Sequence, residues 1–262
     1  MIGVFDSGIG GLSVWKELIK VVPCENTLYV ADSGNCPYGP QSKASIISRS
    51  DAITKYLISK GAKLIVVACN TATAAAINYL RENYHIPFVG IEPAIKPAII
   101  NSKTGVIGVL ATKGTFNGEL YNNTLKKYSK NTIVLEQIGE GLVEIVEHNQ
   151  INSQESITIL KQYLQPMLEK NVDNIVLGCT HYPFLEPVIK QIVGEKVTII
   201  NPAPAVAKRV YEILQKENLF CKNEGLNSSF ITTGDNLFIM QQFVKNISPD
   251  NYEHYNFYKE KI

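Results

Sequence analysis

The sequence predicts an α/β protein made of two doubly wound parallel-sheet domains of similar topology that face each other across a cleft. Three observations carry this expectation. Short β-branched runs alternate with amphipathic stretches along most of the chain, the pattern of parallel strands joined by helical crossovers. The pattern restarts near residue 105, after a proline-marked segment from Glu92 to Asn101. Two apolar runs, V-V-A-C-N-T at 66–71 and V-L-G-C-T-H at 176–181, end alike, in a small residue, a cysteine and two hydrogen-bonding residues.

Composition bounds the rest. With 262 residues and 45% hydrophobic content, the chain can bury two ordinary cores. A net charge of +1 gives no general field for nucleic acid or an anionic membrane, so a small-molecule partner is expected, with no nucleic acid and no membrane. The start, M-I-G-V-F-D-S, lacks a signal-peptide pattern, and no apolar run is long enough to span a bilayer, so a soluble cytoplasmic protein is expected. Five cysteines (Cys24, Cys36, Cys69, Cys179 and Cys221) without a C-x-x-C pair signal neither a disulfide framework nor a zinc knuckle. Reduced thiols and no metal are expected.

In the first unit, a strand over 2–5 delivers Asp6 into the turn D-S-G-I-G-G, followed by a helix over 12–22. Ser7 and the glycines can present backbone N–H groups there. Gly8 and Gly10 fit a dinucleotide-binding G-x-G, with Asp32 at the end of the next strand, 27–31, where a ribose ligand would lie. Ser13 in place of the third glycine and a carboxylate at Asp6 count against it, because Asp6 would meet a pyrophosphate with like charge. The loop S-G-N-C-P-Y-G-P can hold Tyr38 and Gly39 against a ligand, and a helix over 41–60 leads to a third strand over 64–68. That strand ends in Cys69, and Asn70 or Thr71 is expected to cap the alanine-rich helix that follows. A fourth strand is expected over 86–91.

In the second unit, a strand over 106–110 runs into A-T-K-G-T, where Thr112 and Thr115 can cap or bind. A helix to about residue 130, a strand over 132–135 and a helical stretch over 138–148 follow. Glu144 and Glu147 are i, i+3 neighbours on that stretch. A helix over 152–170 leads to the strand 175–177 and to Cys179, Thr180 and His181. A strand over 197–200 and a helix over 203–215 return the chain to the first unit. The polar stretch 216–228 reads as an exposed excursion, 230–232 as a strand and 237–244 as a helix, while the tail 251–262 shows no pattern.

Both cysteines sit at the carboxyl ends of strands, ahead of helix starts, where open α/β sheets bind ligands and where a thiol's pKa of about 8.5 is lowered. Two thiols facing one cleft can invert a stereocentre, one as thiolate base and the other as neutral acid, each worth about 10²–10⁴ in rate. A developing enediolate also needs donors worth about 3 kcal/mol each, and Asn70, Thr71, Thr180 and His181 are the available supply. Asp6 could hold a substrate ammonium. Two other classes fit less well. A thiol hydrolase with Cys179 as nucleophile and His181 as base lacks an orienting third group and leaves Cys69 idle. A non-catalytic amino-acid-binding protein would need neither thiol.

Together, D-S-G-I-G-G-L-S-V, D-x-x-x-x-P-Y-G, A-C-N-T-A-T, L-G-C-T-H-Y-P and I-T-T-G-D resemble the cofactor-independent glutamate racemases of the aspartate/glutamate racemase superfamily, from residue 2 to about Phe243. The resemblance implies interconversion of L- and D-glutamate for bacterial peptidoglycan, with no cofactor or metal, in a homodimer. It implies Cys69 as base for the D-substrate and Cys179 for the L-substrate, with Asp6 and His181 assisting them respectively. Substrate contacts would come from Asp6, Ser7, Tyr38, Gly39, Asn70, Thr71, Thr180 and His181, with Asp32, Thr112 and Glu147 as further cleft candidates. A discontinuous first domain is implied, 1–95 plus 205–262 carrying Cys69, around a second at 96–204 carrying Cys179. One departure is Q-I-G-E-G-L-V-E-I-V-E, where many members carry a Cys-Pro-containing segment, so Glu144 stands beside Glu147 as the cleft carboxylate.

Overall fold

The computed structural model describes residues 1–221 and 227–262. Its strands, in chain order, are β1 (Ile2–Asp6), β2 (Thr27–Ala31), β3 (Leu64–Val67), β4 (Phe88–Gly90), β5 (Val106–Ala111), β6 (Ile133–Ile138), β7 (Asn174–Gly178), β8 (Thr198–Ile200), β9 (Ser229–Thr232) and β10 (Asn256–Lys259). They form a six-stranded sheet ordered β10-β9-β2-β1-β3-β4 and a four-stranded sheet ordered β6-β5-β7-β8. Every pairing is parallel.

The two sheets repeat one winding. In each, the unit's first strand lies between its second and third, so the connections diverge between β1 and β3 and between β5 and β7. Loops leaving the carboxyl ends of such a strand pair go to opposite faces and leave a crevice between them. Asp6 and Cys69 end the first pair, and Thr112 and Cys179 follow the second. The shared ending of the two apolar runs is therefore a shared position in the fold.

Burial explains which elements were legible. Strands β1, β2, β3 and β7 are buried along their whole length, which requires uninterrupted apolar runs. The edge strands β6 and β10 alternate or are exposed, and their signals are weaker. Thus β6 runs three residues past the expected end at Leu135, and the helix after it starts only at Leu142 (Leu142–Glu147), because Gly141 at φ 77° turns the chain ahead of it. The crossing segment contains a short helix, Ile95–Asn101, which admits Pro97 because a first-turn residue needs no N–H partner.

Two expectations are corrected. The helix Asn70–Asn83 is capped neither by Asn70 nor by Thr71; Cys69 holds the extended cap conformation (φ −122°, ψ 122°) and its Sγ accepts from the Ala72 N–H. The tail, which shows no pattern in sequence, adds β10 to the sheet beside β9. Its aromatics pack on Phe230, Tyr255 at 5.6 Å and Phe257 at 5.1 Å between centroids, and Trp15 meets the same ring at 4.9 Å. Of the expected excursion 216–228, residues 222–226 lie outside the described residues; its flanks are tied down by Cys221 N–H to Glu25 Oε1 (2.5 Å) and Asn227 N–H to Asn26 Oδ1 (2.9 Å). Among the described residues, no helix is long and apolar enough to cross a membrane.

Candidate active site

A small cavity with ≈ 260 Å³ of empty space lies between the two crevices, lined by Ser7, Tyr38, Gly39, Cys69, Asn70, Thr71, Thr112, Cys179, Thr180 and His181, with Pro37 and Val143. The volume a ligand could occupy in it is only ≈ 10 Å³, room for about one water and far below the roughly 300–1,000 Å³ of most ligand pockets, so the cleft is closed as it stands. Cys69 enters from the end of β3. Its Sγ takes the Ala72 N–H at 3.4 Å and lies 3.8 Å from Ser7 Oγ. Burial, reinforced by the charge of Asp6, pushes its thiol up to about 12. Next to it, Asn70 donates weakly through Nδ2 to the Ile91 carbonyl (3.4 Å), while its buried Oδ1 has no partner among the described residues. An orphaned buried acceptor on a cavity wall is a group waiting for a ligand donor. Thr71 and Thr112 join the two halves by a hydroxyl pair at 2.8 Å.

Cys179 enters from the end of β7, on the other sheet. His181 Nδ1 lies 3.7 Å from its Sγ, and Nε2 lies 2.6 Å from Glu147 Oε1. Glu147, not Glu144, is therefore the carboxylate that holds His181, although both line an open pocket beside the cavity. Its oxygens also accept from the Ile9 N–H (2.7 Å) and from Asn236 Nδ2 (2.8 Å). Burial opposes charge on His181, but its contacts with Cys179, Cys36 and Glu147 outweigh burial and hold the imidazole protonated well above the ordinary range. The orienting group absent from the sequence reading of a Cys–His pair thus exists, contributed by a helix more than thirty residues away.

The glycine turn has a steric purpose. A methyl at Gly8 would strike the Glu147 carboxylate, and one at Gly10 would strike the His181 ring. These glycines let the second half approach the first, so no phosphate is needed to explain them. Ser13, which breaks the dinucleotide pattern, donates through Oγ to the Thr180 carbonyl (2.8 Å). Asp6 sits behind the cavity wall. Its oxygens accept from the Gly8 N–H (2.8 Å) and Thr180 Oγ1 (2.9 Å), and burial raises its carboxyl to about 6 against the pull of His181 and those hydrogen bonds.

Of the further cleft candidates Thr112 lines the cavity, while Glu147 stands behind His181 and Asp32 behind Tyr38. Asp32 accepts from Arg49 Nε (2.9 Å) and Nη2 (2.7 Å), Tyr38 Oη (2.6 Å) and Thr233 Oγ1 (2.9 Å), so it fixes the Tyr38 ring and meets no ligand directly. Arg49 also donates to the Ile262 carbonyl (2.7 Å), binding the tail to the same network. Arg49→Leu leaves the fully buried Asp32 carboxylate without its cation, and a loss on the order of 3 kcal/mol in urea unfolding is expected; a loss within experimental error would show that the ion pair carries no net stability. Arg49, Cys36 and Asn236 were not singled out from the sequence. Their partners lie far off in the chain, and no spacing rule connects them.

Residues 2–210 match the family model for Asp/Glu/Hydantoin racemase. A glutamate racemase of Herpetosiphon aurantiacus is 44% identical over 235 residues, 89% of this chain and 92% of that relative. Among solved structures, glutamate racemase isoform RacE1 from Bacillus anthracis superposes with a TM-score of 0.86 at 34% identity, covering 100% of this chain and 97% of that one. The Escherichia coli glutamate racemase, in complex with L-glutamate and the activator UDP-MurNAc-ala, superposes with a TM-score of 0.86 at 29% identity, covering 99% and 97% of the two chains. With two facing thiols at equivalent strand ends, and a family match spanning most of its length, the chain belongs to the Asp/Glu/Hydantoin racemase family.

Proposed function

We propose that this protein is a glutamate racemase, an isomerase that interconverts L- and D-glutamate by two-base proton transfer at Cα and supplies D-glutamate for peptidoglycan. The observation that carries the reading is the pair of thiols, Cys69 and Cys179, lining one cavity from two different sheets. His181 Nδ1 lies beside Cys179 Sγ, and the raised Cys69 thiol keeps its proton. A protonated Cys69 is the acid that the conversion of L-glutamate needs, with Cys179 as the base of that direction. Abstraction from D-glutamate requires the opposite proton distribution. Asn70 Oδ1 is the free acceptor for a substrate ammonium, and the Thr71 hydroxyl, paired with Thr112 across the cavity, can turn its proton to a carboxylate oxygen. Asp6 acts through Cys69 and Thr180, without direct contact with substrate.

In this reading the cleft separates a discontinuous domain, 1–95 plus 205–262, from a domain at 96–204, and opening between them admits substrate. Sheet membership supports the division, because β9 and β10 join the strands of the first 95 residues. A cytoplasmic homodimer is the expected state, and light scattering on the purified chain checks its mass.

The Cys179–His181–Glu147 chain is also what a thiol hydrolase would use, so hydrolysis is the second reading. One experiment separates them. D-glutamate incubated with the protein in deuterated water is expected to lose optical rotation and gain deuterium at Cα. Absence of exchange for glutamate, with release of ammonia from glutamine or another amide, would replace racemisation by hydrolysis.

Glu147→Gln is expected to lower kcat by about 10² while moving KM little, since the glutamine cannot hold His181 charged. His181 then loses its proton at lower pH, so the basic limb of the kcat profile moves down. An unmoved limb would assign Glu147 a packing role only.

A further inference from the structure

Cys36 has no part in the reaction above, yet it faces the pair that supports Cys179. Its Sγ, the Glu147 carboxylate and a His181 ring nitrogen all lie within 4.8 Å of one another. The thiol is half-buried and lines an open pocket with ≈ 770 Å³ of empty space, bordered also by Glu144, Glu147, His148 and Asn236. Cys36 and Glu147 face that pocket, while His181 lines the reaction cavity that adjoins it across Pro37 and Val143, so a cation would enter from the open pocket.

We propose that Cys36, Glu147 and His181 form a site for a thiophilic divalent cation, with zinc the best-fitting ion, and that its occupation switches the enzyme off. The consequence for turnover rests on the racemase reading; the binding site does not. One sulfur, one imidazole nitrogen and one carboxylate oxygen suit zinc, with water from the pocket as fourth ligand. Magnesium and calcium prefer six or more oxygen ligands, which this set cannot offer. Zinc bonds of about 2.0–2.3 Å need ligand atoms roughly 3.2–3.8 Å apart, so the Cys36 sulfur has to approach by about an ångström while the His181–Glu147 pair, at 2.6 Å, parts to admit the ion in place of its proton. The carboxylate is already aimed by the Ile9 N–H and Asn236 Nδ2, the kind of outer support that fixes metal ligands.

Binding releases two protons to solvent, the Cys36 thiol proton and the one shared between His181 Nε2 and Glu147, and forms the bonds from sulfur and nitrogen to the cation. Burial pushes the Cys36 thiol up to about 11, so it stays protonated until a cation displaces that proton. With Nε2 on the metal, His181 cannot exchange a proton along its link to Glu147. The two released protons offset the ion's two positive charges, so the effect on turnover runs through the His181 proton and not through added charge. Cys179 exchanges a proton in every turnover, in either direction, and His181 assists that exchange, so the loaded enzyme stalls.

The test uses the full chain with the reacting thiols removed, Cys69→Ala/Cys179→Ala, so that no activity is needed to read it. Titration with cobalt(II) is expected to give one bound ion per chain with thiolate-to-cobalt charge-transfer absorption, displaced by zinc. Adding Cys36→Ala, or Cys36→Ser should the alanine variant misfold, is expected to abolish the absorption and weaken zinc by at least about 100-fold. Absence of the band from the double variant, or its survival without Cys36, overturns the site. In the enzyme with its reacting thiols intact, Cys36→Ala is expected to require at least tenfold more zinc for half-inhibition, measured against its own metal-free rate. Equal sensitivity would place the metal on the reacting thiols and overturn the switch. If the chain proves not to racemise glutamate, the cobalt titration still decides the site.

Discussion

Cys69→Ala and Cys179→Ala are each expected to reduce racemisation by at least about 10³–10⁴, because each removes the only proton carrier on one face of Cα. The variants should differ in what they retain. With Cys69 gone, Cys179 can still take a proton from L-glutamate and return a solvent deuteron to the same face, so exchange without inversion is expected for the L-enantiomer alone. With Cys179 gone, the exchange moves to D-glutamate. Chiral chromatography with mass detection in deuterated water reads both. A variant that racemises fully, or two variants that exchange the same enantiomer, would end the two-base assignment. The substitutions are not structurally equivalent. Cys69 Sγ caps the helix Asn70–Asn83, so its loss is expected to lower stability by about 1 kcal/mol, which the Cys179 variant is spared. Cys69→Ser restores a cap acceptor but, as a far weaker acid, leaves activity lost.

The parallel winding and the two thiols were legible because they depend on local features: buried strands need unbroken apolar runs, and strand ends sit next to helix starts in the chain. The same locality explains the gaps. Asp32 looks like a ligand group from its place after β2, yet Arg49 and Thr233 arrive from elsewhere and claim it. Glu144 and Glu147 are equivalent in sequence, and only the packing of the helix Leu142–Glu147 against the glycine turn chooses between them. The turn itself was ambiguous because glycine records that something comes close, not what does. A backbone that yields to a pyrophosphate and one that yields to an imidazole read alike. The strand β10 was missed because an exposed edge strand carries little apolar signal, although its own Phe257 and the preceding Tyr255 help to complete the aromatic packing on Phe230.

Asp6→Asn should separate what the fold tolerates from what the reaction needs. The Asp6 carboxyl is raised from 3.8 to about 6, first by burial, with His181, the Gly8 N–H and Thr180 pulling the other way. A raised acid keeps its proton in the folded chain while the unfolded chain has already released it. The stability this contributes is complete below about pH 4, declines as pH rises from 4 to 6, and is gone above the folded value. At pH 7 the wild type therefore carries an ionised buried carboxylate at a cost of up to about 3 kcal/mol. The substituted side chain avoids that charge, while its amide oxygen can still accept from the Gly8 N–H and its amide N–H can donate to the Thr180 hydroxyl oxygen. The variant is expected to be more stable than wild type at pH 7, with the difference shrinking toward zero as pH falls to 4. Its racemisation is expected to drop by about 10², and the acidic limb of the kcat profile near pH 6 should disappear with the group that produces it. Urea unfolding across pH 4–7 and rate profiles over the same range read the two effects independently. A variant with no stability gain would show that the hydrogen bonds to Asp6 already offset its burial; one that kept both its rate and its acidic limb would remove Asp6 from the proton transfer at Cys69.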